Sequence, residues 1–254
     1  MTTPAPLRGV RAAFVFLTRV PVGGFPYRPE DWAWAAAHAP FVGLVVGSVL
    51  GVLDLGLAGL GALPAAFLVL GAQLLLTGAF HEDGLADTCD ALGGGYDAPR
   101  VHAILKDSRI GSFGGAALVF SIGVRATLLA ELGARAPWAL PIVGAAARAA
   151  PIWLIAALPY VTAEPDAKSR HVIRGGVAQA AVATGWLVLV LAVGVWTGHV
   201  GAARAIAMAG GLVVVACVTG WRYARRVGGI TGDFLGATEQ LGEVLCLAVL
   251  AWKT

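Results

Sequence analysis

The sequence predicts an all-α protein, a polytopic membrane helical bundle with about seven transmembrane helices. Of its 254 residues, 58% are hydrophobic and only 13% are charged, whereas soluble domains are about 25% charged. The mean hydropathy is +0.78, and the 35 glycines suit helices that pack closely in lipid. These observations exclude an ordinary soluble domain and indicate one integral-membrane domain over residues 1–254.

Seven stretches have the roughly 20 mainly apolar residues that a spanning helix needs. They are residues 40–60, 63–80, 113–132, 137–158, 177–197, 203–220 and 234–252. Residues 1–39 form a leader before the first stretch. Within the leader, "LRGVRAAFVFLTRVPV" (7–22) mixes arginines with aromatic and aliphatic residues, which predicts a helix lying on the membrane surface.

The distribution of basic residues predicts a cytoplasmic N-terminus. In that orientation the inner segments carry thirteen of the eighteen lysines and arginines, the outer segments carry three, and Arg125 and Arg148 fall inside spans. Because the basic residues are spread over several loops, we expect no nucleic-acid partner. The three cysteines have neither disulfide nor zinc-site spacing.

An acidic stretch, "FHEDGLADTCDALGGG" (80–95), interrupts this apolar chain. Asp83, Asp87 and Asp90 are spaced i, i+4, i+7 and therefore share one face of a helix. Like charges at this spacing repel one another. Mg²⁺, which takes oxygen ligands and substrate phosphates, is the natural compensating ion. The alternative is a solvated acidic loop that ends the helix at the membrane surface.

Other residues of this stretch are candidates for substrate binding. Three consecutive glycines remove side chains, so that a phosphate or a bulky ligand could approach the backbone: Gly93, Gly94 and Gly95. His81 adjoins the acidic face and is a candidate substrate contact.

A second polar segment, "LKDSRIGSFGG" (105–115), adds charges of both signs. Asp107 is a further carboxylate. Lys106 and Arg109 are suited to phosphate, as a point charge and as a bidentate donor respectively. If these two basic residues only set the orientation of the chain in the membrane, Asp107 and the glycines would remain unexplained.

A third polar segment, "RRVGGITGDFLGATEQLGE" (225–243), surrounds Asp233 with glycines and continues into the last predicted span. Ionisable groups in a span are costly and face a cavity or a partner. Arg125 and Arg148 could be those partners, so substrate contacts and buried ion pairs both remain open. The candidate substrate-binding residues of these segments are Arg148, Asp233, Glu239 and Glu243.

Five stretches, in one order along nearly the whole chain, resemble the cobalamin synthase family, the adenosylcobinamide-GDP ribazoletransferases. They are "FLTRVPV" (16–22), "PFVGLVVG" (40–47), "GAFHEDGLADTCDALGGG" (78–95), "LKDSRIGSFGG" (105–115) and "GGITGDFLGATEQLGE" (228–243). The resemblance implies an Mg²⁺-dependent enzyme of the bacterial or archaeal inner membrane. That enzyme moves the cobinamide phosphate of adenosylcobinamide-GDP to α-ribazole, or to its 5′-phosphate, and releases GMP.

The resemblance and the charge pattern together imply roles for individual residues. The expected magnesium ligands are Asp83, Asp87, Asp90 and Asp107. The expected catalytic residues are Asp107, Asp90, Lys106 and Arg109, with one of the two carboxylates accepting the hydroxyl proton. Glu82 stays outside the ligand set, because the family usually has a hydrophobic residue there. The active site would face the cytoplasm, its partners would be the two substrates and the lipid bilayer, and a homo-oligomer remains open.

Two other functions remain as alternatives. A CDP-alcohol phosphotransferase would also use clustered acids and Mg²⁺, but its pattern has an arginine after the first acidic pair, which "DGLADTCD" lacks. An ion-coupled transporter could use the charges inside spans, but the sequence has no inverted repeat of the kind common in transporters.

Finally, the 160–176 loop lacks the Gly-Leu-Gly element of the synthase family.

Overall fold

The computed structural model describes residues 4–23, 27–161 and 175–253. These residues are helical, apart from turns and an isolated Tyr160–Ile230 bridge, which confirms the all-α prediction. The α-helices are α1 (Ala5–Leu17), α2 (Pro29–Ala35), α3 (Ala39–Leu57), α4 (Ala62–Thr77), α5 (Phe80–Gly94), α6 (Ala98–Ile104), α7 (Ser112–Leu132), α8 (Ala136–Ala147), α9 (Ala149–Ala157), α10 (Val177–Trp196), α11 (Ala202–Val227) and α12 (Gly232–Ala251). Most of the 160–176 loop lies outside the described residues.

Several helical segments are long and apolar enough to cross a membrane, which confirms a helical membrane bundle. Within the described residues there are five such segments: Pro29–Leu60, Ser112–Ala157, Val177–Trp196, Ala202–Val227 and Gly232–Ala251. The bent pair α4 and α5 would make a sixth. The count falls below the predicted seven because residues 113–132 and 137–158 are counted together in one helical segment, Ser112–Ala157. The cytoplasmic N-terminus stays a prediction.

The long run Ser112–Ala157 reverses its direction at Gly133. This glycine has φ 52°, a conformation that other residues rarely adopt. At the turn, Glu131 pairs with Lys253 beyond the end of α12, at 2.7 Å. After α9, the carbonyl of Pro159 accepts the N–H of Ile230 just before α12, at 2.9 Å. The arm α8–α9 therefore returns along the full length of α12, and the two predicted spans correspond to the two arms.

A sharp bend separates α4 from α5. The axes differ by 92°, and the two linking residues have left-handed backbones, Gly78 at φ 69° and Ala79 at φ 56°. The apolar helix α4 thus ends at Thr77, close to the predicted limit of residue 80. The acidic helix α5 leaves in a new direction, and this bend brings its carboxylates towards α12.

The predicted helix in the leader is present as α1, and α2 packs against it. Gly9 permits this close approach, because a Cβ on Gly9 would lie 2.6 Å from the Cβ of Trp34. Arg8 also pairs with Asp31 of α2, at 2.8 Å. The leader is therefore a folded part of the bundle, and its position on the membrane surface stays a prediction.

The last helix, α12, is the most enclosed of the five segments. In its most apolar window 72% of the residues are buried inside the protein, compared with 28–33% in the other four. Its polar side chains therefore face other helices rather than lipid. This position explains how Glu239 and Glu243 can occur in an otherwise apolar span.

Candidate functional site

The helices α5 and α12 cross in close contact at one end of the bundle. A Cβ on Gly84 would lie 2.8 Å from the carbonyl oxygen of Asp233, and a Cβ on Gly236 would lie 3.3 Å from that of His81. Side chains larger than hydrogen would push the helices apart at this point. The crossing therefore sets Asp233 beside the acidic face of α5.

Four carboxylates gather at this crossing. Asp87 is repelled by the charges of Asp83, Asp233 and Asp90, so the three aspartates predicted from the i, i+4, i+7 spacing do come together. Asp233, predicted as a substrate contact, joins them. We refer to Asp83, Asp87, Asp90 and Asp233 as the acidic cluster.

The acidic cluster offers only oxygen donors, which suit Mg²⁺. In the described ranges, no group of three or more His, Cys, Asp or Glu side chains is arranged to hold a metal by itself. Protein-bound Mg²⁺ usually takes one or two carboxylates and completes its shell with water and substrate phosphates. The oxygen donors therefore suit Mg²⁺ in chemistry, but the described residues form no closed protein cage for it.

Asp90 ties α5 to the start of α7. Its carboxylate accepts the backbone N–H of Gly111 at 2.7 Å and that of Gly114 at 2.9 Å. A carboxylate is favourable at a helix N-terminus, where unpaired N–H groups point outwards. These contacts support a positioning role for Asp90 more directly than the predicted roles of ligand and proton acceptor.

Asp107 lies outside the acidic cluster and is bound to Arg109. Two of the contacts are Arg109 Nη2 to Oδ2 at 2.6 Å and Arg109 Nε to Oδ1 at 2.9 Å. The Arg109 side chain lowers the pKa of Asp107 to about 2, so this carboxylate is a poor proton acceptor at neutral pH. The local i, i+2 pairing argues against the predicted metal and base roles of Asp107. Lys106 is exposed on the same segment.

Two of the three glycines at the end of α5 are packed against other helices. A Cβ on Gly93 would lie 2.7 Å from the ring of Phe113, and a Cβ on Gly95 would lie 2.7 Å from Cγ2 of Val101. Gly94 lies between them in the chain. Side chains of α6 and α7 thus fill the space beside Gly93 and Gly95, which argues against a ligand approaching the backbone there. Gly94 is exposed, and its substrate-binding role stays a prediction.

A buried ionic network lies further along α12. Arg125 of α7 donates from Nη1 to Glu243 at 3.1 Å and from Nη2 to Glu82 at 3.0 Å. The amide of Gln73 donates to both oxygens of Glu243 at 3.1 Å. Arg125 is 1% exposed and Glu243 is 4% exposed, so Glu243 is a structural partner and its substrate-binding role is not supported.

The second half of the network joins α5, α8 and α12. Arg148 Nη1 lies 3.1 Å from Oε1 of Glu239, and His81 Nδ1 lies 3.8 Å from Oε2 of Glu239. Gln240 donates to Glu82 at 3.3 Å and to Glu239 at 3.1 Å, which links the two halves. The expected pairing of Arg125 and Arg148 with the glutamates of the last span is confirmed. Glu82 belongs to this network and not to the acidic cluster.

A cavity opens beside the network and the α5–α12 crossing. Its walls come from α1, α2, α3, α5, α9 and α12, and most of its lining is apolar. The polar residues in its lining are His81, Arg148 and Glu239. Three predicted substrate-binding residues therefore share one cavity. The sequence prediction missed the apolar lining residues, such as Phe16 and Leu235, because nothing in their chemistry marks them as site residues. The one available indication was that "FLTRVPV" resembles a family motif.

Comparison with known proteins assigns the chain to a family. The sequence profile of the cobalamin-5-phosphate synthase family matches residues 9–251. The chain belongs to this family. The match covers the acidic cluster, the buried network and the cavity, and it confirms the family resemblance carried by the five stretches.

Bacterial relatives are similar over almost their whole lengths. A protein of Leptothrix cholodnii is 40% identical over 94% of this chain and 92% of its own length. A protein of Sinorhizobium is 37% identical over 93% of both chains, and one of Allorhizobium ampelinum is 35% identical over 99% of both. Each is named adenosylcobinamide-GDP ribazoletransferase. No solved structure matches the chain.

Proposed function

We propose that this protein transfers the cobinamide phosphate of adenosylcobinamide-GDP to α-ribazole or its 5′-phosphate, a late step in cobalamin synthesis. The products are adenosylcobalamin, or its 5′-phosphate, and GMP. Family membership and the names of full-length relatives support the reaction. The observation that carries the mechanism is the acidic cluster, which an apolar membrane chain gathers where two helices cross.

The reaction exchanges one phosphorus–oxygen bond for another. A ribose hydroxyl of α-ribazole attacks the phosphorus nearest the cobinamide, and the bond from that phosphorus to the bridging oxygen breaks. GMP leaves with the bridging oxygen, and the hydroxyl proton passes to a carboxylate. Such phosphoryl transfers depend mainly on positioning and on neutralising phosphate charge.

The acidic cluster is the proposed site of Mg²⁺ and of the proton acceptor. Asp83 and Asp233 would hold the ion together with the substrate phosphates, since Asp90 already binds two backbone N–H groups. Bound Mg²⁺ would neutralise charge on the diphosphate. Asp87 is the proposed proton acceptor, because Asp83 and Asp233 would hold the ion and Asp90 is bound to the backbone at the start of α7.

The segment between α6 and α7 is the proposed contact for the diphosphate. The Arg109 side chain is 86% exposed, and Asp107 holds its guanidinium at 2.6 Å. A diphosphate could replace Asp107 as its bidentate partner, and Lys106 on the same segment would add a positive charge. Asp107 would then hold Arg109 ready in the absence of substrate.

The proposed location is the inner membrane, with the acidic cluster facing the cytoplasm. The excess of basic residues in the loops on the side of the acidic cluster supports this orientation. Both substrates are soluble and polar, so a cytoplasmic active site would also give them direct access.

The direct test uses purified protein in detergent with adenosylcobinamide-GDP, α-ribazole and Mg²⁺. We expect GMP and a corrinoid product in equal amounts, no product with EDTA, and recovery when excess Mg²⁺ is added back. Parallel reactions with α-ribazole 5′-phosphate would identify the preferred acceptor. Transfer from a CDP-alcohol, or substrate flux into liposomes without turnover, would contradict the proposal.

A further inference from the structure

The apolar cavity lies beside the proposed phosphate site and differs from it in chemistry. Phosphates would be placed at the acidic cluster, whereas the cavity is lined by side chains such as Phe16, Phe80, Ile152, Ile155 and Leu235. The rings of Phe16 and Phe80 meet edge to face with their centroids 5.2 Å apart. A surface of this kind suits a flat apolar group and does not suit a diphosphate.

Two residues of the cavity lining each carry a buried polar atom that lacks a hydrogen-bond partner among the described residues. They are Nε of Arg148 and Oε1 of Glu239, on residues that are 3% and 1% exposed. Although Glu239 Oε1 is 3.1 Å from Arg148 Nη1, that contact lacks the geometry of a hydrogen bond. Unsatisfied buried polar groups are rare and costly. Both residues line the cavity, so a small shift of either side chain would let this atom pair with a polar atom of a ligand.

The cavity adjoins the acidic cluster along the chain and in space. Gly232 and His81 line the cavity, while Asp233 and Asp83 follow them closely in sequence and belong to the acidic cluster. The α5–α12 crossing at Gly84 and Gly236 joins the two sites. A ligand with an apolar part in the cavity could therefore present a polar part to the cluster.

We propose that this cavity binds the base of α-ribazole, a dimethylated benzimidazole, with Arg148 donating to its ring nitrogen. This inference rests on the proposed function, and it assigns the acceptor substrate to a specific place. Guanine carries several hydrogen-bonding groups and the corrin ring carries many amides, so neither matches an apolar lining with three polar residues. A methylated benzimidazole is flat and apolar, and its free ring nitrogen accepts a hydrogen bond. With the base in the cavity, the ribose hydroxyl would point towards the acidic cluster.

The test changes one apolar wall of the cavity and one matched position on the same helix. Leu235→Ala enlarges the cavity, whereas Leu245→Ala removes a similarly half-buried leucine that packs against Gly211 outside it. We expect Leu235→Ala to raise the KM for α-ribazole about tenfold, as lost apolar contacts do in specificity pockets. The KM for adenosylcobinamide-GDP should stay within about twofold of the wild-type value. Leu245→Ala should change neither.

A second measurement separates contact with the base from a general structural effect. The two variants and the wild type are compared with α-ribazole and with the same nucleoside lacking both methyl groups. The wild type should prefer the methylated base, and Leu235→Ala should lose most of that preference, because its cavity no longer encloses the methyl groups.

The outcomes distinguish this inference from the proposed function. No turnover by the wild type would refute both. An active wild type whose Leu235→Ala variant keeps the base preference, or raises both KM values equally, would refute the cavity assignment and leave the reaction standing.

Discussion

The carboxylate of Asp90 accepts the backbone N–H of Gly111 across a distance of 2.7 Å. A second bond, from Gly114 at 2.9 Å, fixes the first turn of α7 to α5. The segment that carries Arg109 ends at this junction. The acidic face of α5 therefore has two functions, since one aspartate holds the neighbouring segment and the others remain for the substrate.

Replacement of Asp90 by Asn should loosen this junction. Asn keeps one acceptor oxygen but loses the charge that favours the helix N-terminus, so we expect a loss of about 1–2 kcal/mol of stability. Melting in detergent should show the loss, and limited proteolysis should cut residues 105–111 faster. Unchanged melting and proteolysis would show that the two hydrogen bonds are unimportant.

Asp87→Asn should remove activity without unfolding the protein. It removes the proposed proton acceptor beside the metal site, and we expect turnover to fall by about a hundredfold or more. Asp107→Asn is the matched control, because Asp107 lies outside the acidic cluster and is already paired with Arg109. The measurement is GMP release under saturating substrates and Mg²⁺. If Asp107→Asn were the more damaging change, the sequence-based assignment of the base would be restored.

Gly84→Ala should separate α5 from α12. The new Cβ would lie 2.8 Å from the carbonyl oxygen of Asp233 and 3.1 Å from its Cα, and backbone atoms cannot move aside cheaply. We expect a loss of about 1–3 kcal/mol of stability and a fall in turnover of about tenfold to a hundredfold from misplacement of Asp233. Gly123→Ala on α7 is the control, because a Cβ at this position would meet no atom of the described residues within 4 Å, and it should be neutral. Equal effects of the two variants would contradict the close crossing.

Arg125→Met should strongly destabilise the bundle. It leaves Glu82 and Glu243 buried without their cationic partner, and the loss of one member of a buried pair costs about 3–5 kcal/mol. Lys253→Met, which breaks the exposed pair with Glu131, should cause no measurable change. Thermal melting of the purified variants in one detergent compares them directly. Similar melting temperatures of the two variants would contradict a stabilising role for the ion pairs of Arg125.

Much of the fold could be predicted from hydropathy, but the polar extensions could not. The predicted limits 177–197 and 234–252 agree with α10, Val177–Trp196, and α12, Gly232–Ala251, to within two residues. By contrast, α11 continues to Val227, beyond the predicted limit of 220, because its last turns are helical but charged. Hydropathy detects burial in lipid and cannot detect a helix that continues into water.

For the site as well, the sequence predicted contacts within one helix but not the contacts between helices. Helical spacing was enough to bring Asp83, Asp87 and Asp90 together, because it is a local property. The entry of Asp233 into the acidic cluster depends on how α5 crosses α12, which no local pattern contains. Asp107 stays outside the cluster for a local reason of another kind, since an arginine two residues away binds it.

The buried position of Arg125 has a consequence for how the chain is made. A lone arginine in lipid is unfavourable, and its partners come from α5, synthesised earlier, and from α12, the last helix described. Before α12 is made, Arg125 has Glu82 as its partner but lacks Glu243, and Arg148 lacks Glu239. A chain that terminates before α12 would therefore leave Arg148 inside the bundle without its carboxylate partner.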